Sequence, residues 1–217
     1  MDFLAEHWLD IVTTVLGLAY ILLEYRASIW MWLVGFAMQA LGIVLYYQKG
    51  LYADCGMEFY YLAMTVYGYW RWKPTPHPSR GEGRSDTPAI DKSNQSPLPS
   101  GGAGGGSIRH FPKRLVLPWL ILIGAVWALI YWLLITFTNS NVPVADSFTT
   151  ALSIVGIWAL AHKYLEQWFI WIAVDVVTSI LYFYKDIPFK ASLYALYVVI
   201  AVMGWFKWKR MMKQSEK

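Results

Sequence analysis

The chain has 217 residues, 57% of them hydrophobic and 18% aromatic, with only 15% charged, and its hydrophobic residues gather in long stretches. The net charge of +4 comes from bases that flank those stretches and build no folded basic face, so a nucleic-acid partner has no support. A single cysteine, Cys55, excludes an internal disulfide, and its place in an apolar stretch reads as a small apolar filler.

In chain order, the first residues carry Asp2 and Glu6 and neither Lys nor Arg. They lack the basic region of a cleavable secretory signal, so the first apolar stretch is expected to be retained. Stretches over 9–25, 29–47 and 51–70 have the length that an α-helix needs to cross about 30 Å of hydrocarbon. Gln39 lies at the centre of the second, and Glu58 lies on the third, one turn after Asp54. Residues 74–114 form a break rich in Pro, Gly and Ser, with PTPHP, SPLPS and SGGAGGGS. Such a composition cannot bury enough apolar surface to offset its ordering entropy, which predicts a disordered cytoplasmic linker. The glycines from Gly101 to Gly106 superficially resemble a phosphate loop, but no strand precedes them and no helix opens on them. The fourth stretch, Leu117 to Phe137, is uncharged, and further stretches follow at 147–161, 165–184 and 187–206. Asp175 stands at the centre of the sixth. Length alone would let the fifth be a buried core helix.

An internal repeat decides that point. Residues 12–73 align with 148–209 without a gap at an offset of 136, with 14 identities in 62 positions, against about 5 expected in so biased a composition. Trp32/Trp168, Gly68/Gly204, Trp72/Trp208 and Tyr61/Tyr197 are among the identical pairs. The fifth stretch pairs with the first and must cross as it does. The expected fold is an all-α membrane protein of seven transmembrane helices in a 3+1+3 arrangement. Equivalent helices four spans apart cross in the same direction, so the repeats are parallel and the unpaired fourth span is the inversion helix. The chain divides into a first three-helix repeat (1–73), the linker (74–114), the inversion helix (115–138), a second repeat (145–209) and a tail (210–217). Fifteen Lys or Arg fall on one side of these spans and three (Lys49, Lys185, Lys190) on the other, which predicts an outside N-terminus and a cytoplasmic C-terminus.

Enzyme chemistry has no signature: His7, His77, His110 and His162 are scattered, with no metal-ligand spacing and no nucleophile–base pairing, and no cofactor is implied. A retinal pigment would need a lysine midway along the last span, where none occurs between Ala191 and Phe206. Chemistry must therefore sit on buried polar groups. A carboxylate at the bilayer centre costs about 2.5–3.5 kcal/mol on insertion scales, so Asp175 should line a cavity and meet a partner or a substrate. Gln39 is its repeat mate and is expected at the same depth across a central path. Trp168, Trp171 and Asp175 fall at i, i+3 and i+7 on one helix face, a pattern that Trp32 and Gln39 repeat in part. Stacked indoles and a buried acid suit a small, flat, cationic heteroaromatic ligand. Alternatives remain open: Asp175 could be a structural acid bonded to Thr178 or to a tyrosine, Glu58 could pair with a helix-end Lys, and Tyr61 and Tyr197 either line the path or pack helices. Trp30, Trp70, Trp72, Trp205 and Trp208 read as an interfacial aromatic belt.

The run KYLEQWFIWIAVDVV (Lys163 to Val177), LYAD (Leu51 to Asp54) and YGYWRW (Tyr67 to Trp72) resemble the PnuC family of bacterial vitamin transporters over both repeats. The resemblance implies a SWEET-like fold, an inner-membrane location, facilitated diffusion of a vitamin precursor retained by later phosphorylation, and a homo-oligomer such as a trimer. Nicotinamide riboside transporters of that family typically carry Asn where this chain has Asp175 and Gln where it has Glu58. Two amides have become acids, a change that favours a cation, so the thiamine branch, PnuT, is the nearer match and nicotinamide riboside the alternative. A vitamin-binding subunit that needs a partner complex is the alternative of another class.

Overall fold

The computed structural model describes residues 2–48, 52–73, 107–138, 142–184 and 188–215. Seven α-helices follow in order: α1 (Asp2–Tyr25), α2 (Trp30–Gln48), α3 (Tyr52–Trp72), α4 (Val116–Phe137), α5 (Pro143–Ala161), α6 (Gln167–Tyr184) and α7 (Pro188–Ser215). At 1.5 Å per residue, even the 18 residues of α6 reach about 27 Å, close to the hydrocarbon thickness. Four stretches are apolar and long enough to cross a membrane outright, the most apolar being Lys113–Phe137 with mean hydropathy 2.4. The chain is a multi-pass membrane protein.

The helices pack as the repeat requires. α2 packs on α1 and α3, and α6 packs on α5 and α7; α1 meets α7 where α3 meets α5, so six helices close into a ring of two three-helix bundles. α4 touches only α5 among the helices, and none of its residues is buried. A helix apolar on every side but unburied by protein belongs against lipid.

The two halves end their first helices in the same way. Ala27 and Lys163, which are repeat mates, both have positive φ, 50° and 55°. Around Ala27, Ser28 N–H bonds Leu23 C=O at 2.9 Å and Ala27 N–H bonds Glu24 C=O at 2.8 Å. Around Lys163, Tyr164 N–H bonds Ala159 C=O at 3.0 Å and Lys163 N–H bonds Leu160 C=O at 2.9 Å. This is the Schellman arrangement, which satisfies the last carbonyls of a helix within a sharp turn. Neither position is glycine, so both carry left-handed backbone strain.

Four tryptophans form the core where the halves meet. Trp32 and Trp72 stand edge to face at 5.7 Å, Trp168 and Trp208 do so at 5.6 Å, and Trp72 meets Trp208 at 6.1 Å across the repeat axis. Trp72 and Trp208 are fully buried, which corrects their assignment to the interfacial belt; Trp30 and Trp70 are exposed, as a belt requires. The reason is the hydrogen bonding: Trp72 Nε1–H donates to Ala161 C=O at 3.2 Å and Trp208 Nε1–H to Glu24 C=O at 3.1 Å, so each indole satisfies a helix end of the opposite repeat.

Residues 74–106 of the expected linker lie outside the described residues. Residues 107–114, counted within that linker, lie against the α5–α6 turn. Arg109 pairs with the α5–α6 turn through Arg109 N–H to Lys163 C=O at 3.1 Å and Leu165 N–H to Arg109 C=O at 3.0 Å. Glu166 accepts from Phe111 N–H at 2.8 Å and lies 2.8 Å from His110 Nδ1. Composition predicted disorder there because it registers glycines and prolines, and not the unpaired backbone groups of the turn they reach.

Candidate functional site

Inside the ring lies a cavity of about 380 Å³. On α1 the residues Gly17, Tyr20, Ile21 and Glu24 face it at i, i+3, i+4 and i+7, a single helical stripe. From α6 come Trp168, Trp171, Val174 and Asp175, from α7 Leu193, Tyr194 and Tyr197, and Met38 and Ser153 complete the wall. No Lys or Arg lines it among the described residues, so two carboxylates share one membrane-embedded void without a protein cation.

Asp175 is 6% exposed and sits midway along α6. Trp171 packs over Gly156, where an added Cβ would meet the indole at 3.2 Å, and its Nε1–H has no acceptor among the described residues. Trp168 lies across Gly204 so closely that a Cβ there would come within 2.5 Å of its ring. Tyr197 reaches over to α1, its hydroxyl 3.1 Å from where a Gly17 Cβ would be.

A second cavity of about 320 Å³ adjoins the first and shares Ser153, Val174 and Tyr194 with it. Glu58, Tyr61, Asp146, Thr178 and Tyr182 line it. The Glu58 carboxyl group rests against Gly42, whose absent Cβ leaves the space it occupies. Because α3 and α5 both start at the end where Glu58 and Asp146 lie, while α6 starts at the other end with Trp168, the two cavities form successive stations along one path.

Of the residues expected at a site, Asp175, Trp168, Trp171 and Tyr197 meet in the central cavity, and Glu58 and Tyr61 meet in the adjoining one. Gln39 lines neither: Met38 takes the cavity face of α2, and the next residue is turned about 100° away. Trp32 also lines neither, being buried between Gly68 and Trp72. The Asp54 side chain lies outside the described residues. Glu24 was missed. Its signal was the α1 stripe it completes, hidden by a position one residue from the helix end, where an acid passes for an interfacial charge.

Below the cavity, the α5–α6 turn holds His162 between Trp158, 4.2 Å away, and Tyr164, parallel to it at 5.8 Å. His162 Nδ1 faces Trp158 C=O at 2.9 Å and so carries the ring proton, leaving Nε2 to accept from Tyr67 O–H at 3.3 Å. Burial pushes the imidazole below its usual value, and the guanidinium groups of Arg71 and Arg109 act in the same direction. Burial likewise lowers Lys163, to about 8; its Nζ stands 4.4 Å from the Trp72 ring.

The protein family described as nicotinamide mononucleotide transporter matches residues 7–210. The chain is 25% identical over 205 residues to the riboflavin/roseoflavin transporter RibM of Streptomyces davaonensis, covering 93% of this chain and 84% of that one. It is 21% identical over 225 residues to the nicotinamide riboside transporter PnuC of Escherichia coli, again covering 93% and 84%. The crystal structure of the vitamin B3 transporter PnuC superposes with a TM-score of 0.69 at 19% identity, over 98% of this chain and 85% of that one, a likeness of fold.

Proposed function

The chain belongs to the nicotinamide mononucleotide transporter family, and on that premise we propose that it carries thiamine into the cell by facilitated diffusion. Its relatives are transporters, and the vitamins in their names are built on flat heteroaromatic rings. The observation that supports a cationic ring over an uncharged one is the cavity's charge: Asp175 and Glu24 face a space of about 380 Å³ that no Lys or Arg lines among the described residues. That volume is near the lower end of ligand pockets, about 300–1,000 Å³, and suits a two-ring cation.

Asp175 is the counter-ion of the thiazolium, and Trp168 and Trp171 stack on the rings, each cation–π contact contributing about 0.5–2 kcal/mol. Glu58 and Tyr61 receive the ligand in the adjoining cavity. The excess of bases at the turns puts the N-terminus outside and the C-terminus in the cytoplasm of an inner-membrane protein. Rocking of the two bundles about the shared walls exposes the site to either side in turn, and phosphorylation inside retains the product. Nicotinamide riboside is the second reading, favoured by the relative that transports it; it too is a ring cation.

Purified protein in liposomes should equilibrate radiolabelled thiamine without a partner, at a rate and final level unchanged when a proton gradient is abolished. Uptake that requires a second protein would replace the transporter reading with that of a binding subunit. Accumulation lost on adding a protonophore would overturn passive equilibration.

A further inference from the structure

Glu24 is 3% exposed, lies within a membrane-spanning helix and lines the central cavity, yet its Oε1 has no partner among the described residues. Its backbone is held twice over, the carbonyl accepting from Ala27 N–H at 2.8 Å and from Trp208 Nε1–H at 3.1 Å. Beside the carboxylate, close enough to act on it as a hydrogen-bonding neighbour, stands the fully buried side chain of Gln167, whose amide meets no other partner among the described residues. Unpaired polar groups at such depth are costly unless a ligand satisfies them.

The repeat gives both halves one scaffold, to which Trp168 also adds a cavity wall. Trp32 and Trp168, Gly68 and Gly204, Trp72 and Trp208, and the left-handed Ala27 and Lys163 are twins that build the same contacts in both halves. Glu24 has Leu160 as its mate, Gln167 has Met31, and Asp175 has Gln39. A two-fold scaffold that holds an unsymmetrical ligand must break its symmetry where the ligand is touched, and at these three positions the halves differ in polarity or charge.

We propose that Glu24 is a specificity-determining residue that accepts a hydrogen bond from the exocyclic amino group of an aminopyrimidine-bearing cation, while Asp175 answers the charge of the other ring. Gln167 is a positioning residue that keeps the carboxylate aimed into the cavity. The inference rests on the cationic-vitamin reading above and assigns the two acids different tasks. An ionised carboxylate beside the bound cation can only accept, so replacing the ligand's amino group by a ring carbonyl sets two acceptors face to face.

Calorimetric titration of the full-length detergent-solubilised protein tests it with thiamine and with the thiamine analogue whose pyrimidine amino group is replaced by a carbonyl. Wild type should prefer the amino ligand by roughly tenfold or more, the yield of one hydrogen bond to a charged group. Glu24→Gln should bring the two ligands within about threefold of each other, whereas Asp175→Asn should weaken both alike and leave their ratio unchanged. Glu24→Asp keeps the acceptor and should keep the order of preference; it serves where Glu24→Gln is not monodisperse on gel filtration. Glu24→Gln protein that retains the wild-type ratio, or Glu24→Asp protein that loses it, overturns the assignment. Wild type that binds thiamine and the carbonyl analogue equally overturns it while leaving the ligand reading intact. Wild type that binds neither overturns both.

Discussion

Asp175 is the residue on which the ligand's charge turns. It is buried at the middle of α6 in a cavity that no base lines among the described residues, so a cationic solute is what its negative charge lacks. Asp175→Asn keeps the shape and removes the charge. It should weaken thiamine binding by about tenfold to a hundredfold, as the loss of one close charge pair does, and should change affinity for the uncharged analogue with carbon at the quaternary position by less than roughly threefold. Equal losses for both, measured by titration, would make Asp175 a structural acid. Half of this residue-level picture was legible beforehand. An acid at the centre of an apolar span cannot be mistaken for a surface charge, and the i, i+3, i+7 spacing placed Trp168, Trp171 and Asp175 on one wall. Glu24 was not legible, because whether a helix-end carboxylate turns inward depends on packing against α6 and α7, which local sequence does not encode. Gln39 failed for the related reason that a repeat equates positions and not side-chain directions.

At the scale of elements, the paired glycines set how closely the helices approach. Gly204 on α7 lies under Trp168, and a methyl group there would come within 2.5 Å of the indole, with Trp208 at the ring's edge limiting its escape. Gly204→Ala is expected to cost about 1–3 kcal/mol as overpacking and to displace Trp168 into the cavity, so thermal stability and ligand affinity fall together. A variant with unchanged melting temperature and affinity would show that the ring contact is slack. The twin contact at Gly68 and Trp32 predicts the stability loss alone, since Trp32 lines neither cavity. Six helices were legible as apolar runs of spanning length, and the repeat supplied the short fifth and set which run matched which. The burial of Trp72 and Trp208 was not, because interfacial and axial tryptophans occupy the same places at the ends of spans, and only the opposite helix end that each indole caps distinguishes them.

Across the whole molecule, one end of the ring is tied together by the α5–α6 turn, the strand-like segment at Arg109 and the α3 residues Tyr67 and Trp72. His162 is one of the titrating groups at that junction, beside Lys163 and the His110–Glu166 pair, with Tyr67, Arg71, Arg109 and Tyr164 around it. Its folded pKa lies below the unfolded value of about 6.5, so the unfolded chain binds more protons between the two. The stability that neutral His162 contributes is therefore present above pH 6.5 and is lost as pH falls through the lowered value. Melting temperature should drop on acidification from pH 7.5 to 5.5, and His162→Gln should flatten that drop; an unchanged profile would remove His162 from the account. The measurement that bears most directly on function is a side-by-side calorimetric titration of the purified protein with thiamine, nicotinamide riboside and riboflavin. An acidic, tryptophan-walled cavity predicts tight binding of thiamine, weaker binding of nicotinamide riboside and none of uncharged riboflavin. Tight binding of riboflavin would contradict the claim that the carboxylates of Asp175 and Glu24 select the cargo, and tight binding of nicotinamide riboside alone would contradict the choice of thiamine.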